Sequence, residues 1–221
     1  MDERKKTRKM DSRDILKWGL LVLIILLLFY QFLPLEYGNS KGAFKRNIVR
    51  ELCIFPWKIS VEAVEDFILQ DGQETMRAVV YEEDGRYILQ WYRLNRNGDY
   101  EIYWKDGSQY SRLECRGVHN FPDLKINGYQ KAYDLYYVTL PEIKEMRLQY
   151  DYHLRFEGEK DFLQTNTMSV PVEEAPQLFC IPDPWDMEFA PKLPEDTARM
   201  VHISVSAYDG EGKLLFETTN S

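Results

Sequence analysis

The stretch EMRLQYDYHLRFE, from Glu145 to Glu157, alternates without a break. Met146, Leu148, Tyr150, Tyr152, Leu154 and Phe156 fall on one side. Arg147, Gln149, Asp151, His153 and Arg155 fall on the other. A period of two over this length excludes a helix and predicts a strand with one face on a core and one in water. A one-residue slip would bury three charges, so the register is well specified. Val201, Ile203, Val205 and Ala207 alternate likewise; DGEG then turns the chain and KLLFETT returns it.

Turn signals recur through the chain: QDGQ, EEDGRY, NRNGDY, KDGSQY and YDGEGK. Asp-Gly and Asn-Gly take the positive φ angles that tight hairpins need, and their spacing suits a meander of short antiparallel strands. The 15 Tyr, 11 Phe and 5 Trp favour half-buried pleated surfaces. SVEAVEDFIL fits both periodicities and is read as a strand. Pro171 to Thr197 holds Pro171, Pro176, Pro182, Pro184, Pro191 and Pro194, which argues against a central strand and for a long loop or an irregular edge.

The N-terminal part is of another kind. From Leu20 to Phe29 every residue is Leu, Val, Ile or Phe, worth roughly −3 to −6 kcal/mol for membrane insertion. Ile15 to Leu33 would span about 28 Å as a helix. Arg4, Lys5, Lys6, Arg8, Lys9 and Arg13 precede the run, which directs the N-terminus to the cytoplasm and the rest outside. No Ala-x-Ala follows; Gly38 and Ser40 are the nearest small pair, so an uncleaved anchor is expected over a cleaved signal.

The expected fold is therefore an all-β ectodomain after one N-terminal transmembrane helix. It is an antiparallel β-sandwich whose second half has an immunoglobulin-like rhythm. The expected divisions are a basic tail at 1–14, the helix at 15–34 and a juxtamembrane linker at 35–47. A Tyr/Trp-rich meander follows at 48–128, then a sandwich-like domain at 129–221 with its Pro-rich loop at 171–197. One continuous sandwich is the competing arrangement.

Charge narrows the function. Seven of the 28 Lys/Arg and four of the 36 Asp/Glu precede Pro34, so the remainder carries about −11. An acidic body without a basic stripe repels phosphate backbones, which disfavours nucleic-acid binding. No GxSxG, phosphate-binding glycine loop or dinucleotide fingerprint occurs. His119, His153 and His202 have no zinc spacing, and no cofactor or metal is implied.

PDPWDMEF is the segment richest in potential chemistry. Asp183, Asp186 and Glu188 flank Trp185, with Phe179 and Phe189 on either side, a combination able to bind a sugar face or supply two carboxylates. Cys53, Cys115 and Cys180 allow one disulfide, and Cys53 to Cys180 would staple two irregular segments. In the meander, Tyr87, Leu89 and Trp91 oppose Ile88, Gln90 and Tyr92, so aromatics lie on both faces. Burial on both sides is expected over a solvent-facing patch.

These features point to a membrane-anchored, non-catalytic binding or assembly module at the cell surface. It would meet lipid through its helix and a protein partner through its β-domain. A glycan-binding protein or hydrolase using the Pro/Trp/acidic loop is the alternative, and a transmembrane sensor a weaker one.

Overall fold

The computed structural model describes residues 12–32, 35–69, 72–103, 109–111, 117–125, 132–155, 162–192 and 198–220. The chain separates into two units, Met1–Glu36 and Tyr37–Ser221. The first holds α1, Ser12–Phe32. Its apolar side chains from Ile15 to Leu26 are exposed. Among the described residues no helix is long and apolar enough to cross a membrane, so the expected span at 15–34 gains no support here.

The second unit opens with a second helix, where the sequence suggested only a connector. α2, Lys41–Leu52, is capped by Ser40, whose Oγ accepts from Ala43 N at 3.2 Å. Phe44 and Ile48, one turn apart, are buried with Ala43 and Asn47. The expected linker at 35–47 is thus corrected: most of it is a half-buried amphipathic helix.

Among the described residues twelve strands follow, in three antiparallel sheets. The first sheet contains β1 (Ile59–Leu69), β2 (Glu74–Glu83), β3 (Arg86–Leu94), β4 (Tyr100–Ile102) and β5 (Gln109–Tyr110). β1 resolves the helix–strand ambiguity of SVEAVEDFIL in favour of the strand. Asp84 and Gly85, with φ of 49° and 83°, make the tight β2–β3 turn that EEDGRY foretold. The turn in KDGSQY lies outside the described residues. The second sheet has the order β10 (Gln177–Pro182), β7 (Ala132–Val138), β6 (Val118–Lys125). The third has the order β12 (Leu214–Asn220), β11 (Ala198–Tyr208), β8 (Glu145–Arg155), β9 (Phe162–Pro171).

β8 realises the alternation at 145–155. Met146, Leu148, Tyr150, Tyr152 and Leu154 are all at most 2% exposed, and β11 pairs along its whole length. Phe156 lies outside the described residues.

The second sheet is the centre of the unit. Along β7 every residue is buried. Tyr133, Leu135 and Tyr137 pack with Met76, Val80, Leu89 and Trp91 of the first sheet. Tyr136 and Val138 pack with Leu148, Tyr150, Tyr152 and Val205 of the third. A strand covered on both faces needs apolar or aromatic residues at successive positions, and AYDLYYV supplies them. The first sheet's other face is covered by α2: Phe44 and Ile48 pack on Val79, Tyr81, Ile88 and Tyr92. The layers therefore run helix, sheet, sheet, sheet. The division expected near residue 128 is not a domain boundary, because the second sheet shares its core with both neighbours.

β10 settles part of the Pro-rich stretch as an edge and not a loop. Residues 177–182 pair with β7 as an edge strand, between Pro176 and Pro182, where missing donors are tolerated.

Candidate functional site

The Pro/Trp/acidic segment follows β10 and folds back on the core. Asp183 Oδ1 accepts from Trp185 N at 2.9 Å, capping the short 3-10 helix Pro184–Asp186. Asp186 Oδ2 accepts from Ala132 N at 3.0 Å at the start of β7. The Tyr152 hydroxyl donates to the Pro184 carbonyl at 2.6 Å, and Gln164 Nε2 donates to the Phe189 carbonyl at 3.0 Å. The Trp185 ring meets Tyr152 edge-on at 5.0 Å, and Phe189 meets Tyr150 at 5.7 Å. Phe179, Trp185 and Phe189 all pack against the core between the second and third sheets. Of the six residues expected to bind, only Glu188 is exposed. The two aspartates hold backbone amides and Trp185 rests on a tyrosine, so the segment locks a core edge.

No bridge joins Cys53 to Cys180. Cys53 caps α2 in a left-handed conformation, φ 55°, on the helix-covered side of the first sheet. Cys180 packs on the opposite side, in the core between the first two sheets. The sheet itself separates them. Burial, with Asp134 nearby, pushes the Cys180 thiol up to about 12, so it is protonated and a poor nucleophile at neutral pH. Cys115 lies outside the described residues.

The meander aromatics are buried on both faces, as expected. Leu89 and Trp91 face the second sheet and Ile88 and Tyr92 face α2. Below α2 sits a polar network. The Tyr92 and Tyr81 hydroxyls donate to Gln90 Oε1 at 2.6 and 3.0 Å, Asn47 Nδ2 donates to the Tyr92 oxygen at 3.3 Å, and Gln90 Nε2 donates to the Glu51 carboxylate.

The segment ahead of α2 is clamped to the first sheet. Gly38 N donates to the Tyr100 carbonyl at 2.6 Å, and Arg77 Nη1 donates to the Gly38 carbonyl at 3.0 Å. A Cβ on Gly38 would lie 2.3 Å from Cδ1 of Tyr92, so only glycine permits this approach. Arg77 also forks onto Asp66 at 2.6 and 2.8 Å and lies 3.6 Å from the Tyr100 ring centre, while the Tyr100 hydroxyl donates to Asp66 Oδ2 at 2.6 Å. Burial raises the Asp66 pKa, but the Arg77 and Tyr100 hydrogen bonds and the guanidinium charge outweigh it and leave the carboxyl below its ordinary value.

Immediately after α2 the chain exposes two aromatic rings. Phe55 precedes the short 3-10 helix Pro56–Lys58, with Pro56 at its first position, and Lys58 N donates to the Phe55 carbonyl at 3.0 Å. The Phe55 and Trp57 rings stack at 4.6 Å and 12°, yet remain 58% and 77% exposed. Exposed aromatics that contact each other, rather than a core, mark interaction surfaces more often than solitary ones do. Sequence reasoning missed the pair. The sequence hides the pair: Phe55 and Trp57 fall in step with Ile59, Val61 and Ala63, so by alternation they read as core positions.

His119 sits between Tyr87, 4.2 Å away by ring centroids, and Tyr137, at 6.3 Å. Burial lowers its pKa from 6.5 to about 4. The folded state thus holds it neutral while the unfolded state binds a proton as pH drops below 6.5. Its contribution to stability is full above that pH and is lost as pH falls toward 4. Discounted for its solvent-facing side, the loss is about 1–2 kcal/mol. H119Q is expected to shallow the acid limb of a stability–pH profile between these values, measured by denaturant midpoints. Among the described residues no three His, Cys, Asp or Glu side chains converge as a metal site.

No protein-family model matches the chain, and no curated protein matches it.

Proposed function

We propose that the chain is a membrane-tethered, non-catalytic binding or assembly module that meets a protein partner through Phe55 and Trp57. The stacked, exposed pair carries the reading: two aromatic rings contact each other and remain outside the cores. Trp and Phe anchors of this kind fill pockets on partners and dominate interface energetics. The acidic loop lends little to a hydrolase, because Asp183 and Asp186 are engaged with backbone amides.

The tether rests on α1. Its exposed Leu, Ile and Val side chains from Ile15 to Leu26 need an apolar surrounding such as a lipid surface. Just after α1 in sequence, α2 carries Lys41, Lys45 and Arg46 in its first half, with no acidic residue in its first turn. Positive charge there is unfavourable with the helix dipole and is favourable beside anionic headgroups. An otherwise acidic body with one basic helix at its entry fits a domain held close to a lipid surface.

The test is crosslinking in native membranes followed by purification of the full-length chain. A specific protein should co-purify with the wild type and fall at least tenfold with F55A/W57A. Recovery of the wild-type chain alone would refute the assembly role.

A further inference from the structure

The outer face of the third sheet gathers two of the chain's three histidines and an exposed methionine. His153 on β8 is the direct cross-strand partner of Met200 on β11, and His202 lies two residues further along β11 on the same face. The inward neighbours Tyr152 and Leu154 are buried, and Val201 and Ile203 pack on the core, which fixes the outward direction of all three. The His153 and His202 rings meet at 5.1 Å between centroids and 89° between planes. His153 is exposed, His202 half-buried and Met200 55% exposed. On the other side of His153, Leu163 of β9 is its direct partner and is 59% exposed. Asp151, paired with His202, is engaged by Thr165 Oγ1 at 2.7 Å.

We propose that His153, Met200 and His202 bind a soft transition-metal ion, Cu(I). Two imidazoles on one metal, each at about 2.0 Å through nitrogen, place their ring centres roughly 5–6 Å apart, the separation found here. The third donor is a thioether, which selects soft Cu(I) over oxygen-seeking Mg²⁺ or Ca²⁺. Zn²⁺ favours a closed set of four harder donors, and this site supplies two imidazoles and a sulfur that zinc binds poorly. Three donors on adjacent strands suit the low coordination number of Cu(I). An outward methionine with Leu163 beside the site gives it an apolar flank.

The experiment uses the full chain in detergent micelles with C53S/C115S, which removes two thiols that would compete for Cu(I). Cu(I) is titrated anaerobically against the chromophoric chelator bicinchoninate. One equivalent should be withdrawn from the chelator, with at least 100-fold weaker binding in H153Q/H202Q. M200L should weaken Cu(I) at least tenfold and leave the lower Zn²⁺ affinity within twofold. NMR should show Cu(I) shifting the His153 and His202 imidazole and Met200 methyl resonances, a readout independent of any residual thiol binding. All three positions face water, and circular dichroism checks that the variants fold. Equal Cu(I) affinity in H153Q/H202Q, no shift at these resonances, or tighter binding of Zn²⁺ than Cu(I) would overturn the site.

Discussion

L135A is expected to lower the stability of residues 37–221 by about 3–5 kcal/mol, within the range for a fully buried leucine reduced to alanine. Leu135 is 0% exposed in the middle of β7. Its side chain faces the first sheet, while Tyr136 beside it faces the third. Loosening β7 therefore weakens two cores at once. Amide hydrogen exchange across a denaturant series, read at Trp91 for the first core and at Tyr150 for the second, should give one shared transition that moves as a whole. Two separated transitions, only one of them displaced, would restore the division into a meander and an independent sandwich.

The second large effect is expected at Gln90, which is 1% exposed and joins Tyr81, Tyr92 and Glu51. Q90L keeps the volume but leaves two hydroxyls short of an acceptor and a carboxylate short of a donor. Buried polar groups without partners cost about 1–3 kcal/mol each, and charged ones more. Partial rescue follows because Tyr81 also reaches the Phe44 carbonyl at 3.2 Å. The net loss is about 2–4 kcal/mol, concentrated at the α2 interface. Amide exchange in α2 should quicken well before exchange in β7. Y81F, which removes one hydroxyl and leaves the Tyr92–Gln90 bond, should cost less than Q90L. If Q90L changes neither stability nor α2 exchange, the network does not hold the helix.

The strands were legible because their signals are local. Alternation in 145–155 and the Asp84–Gly85 turn each depend on residues close in sequence, and both form as read. α2 was missed because its buried face is thin: Phe44 and Ile48 stand among Lys41, Lys45, Arg46 and Arg50, and the cue was the Ser40 cap rather than a strong apolar stripe. The third layer was missed for a different reason. AYDLYYV breaks the two-residue alternation, a sign of burial on both faces, but which sheets cover it depends on pairings distant in sequence. The acidic loop misled because composition cannot distinguish an aspartate aimed at a ligand from one that caps a backbone amide. Asp183 and Asp186 do the second.

Gly38 and Ser40 acquire a new meaning. In the sequence they are the nearest small pair to a cleavage site; in the fold Gly38 packs under Tyr92 and Ser40 caps α2. Cutting there would remove the clamped segment as well as α1. The most direct test of a tethered module is the intact mass and N-terminal sequence of the chain recovered from native membranes after carbonate washing. The tethered reading predicts a carbonate-resistant species that still contains Ser12–Phe32. A carbonate-soluble species with its N-terminus near Lys41 would contradict it.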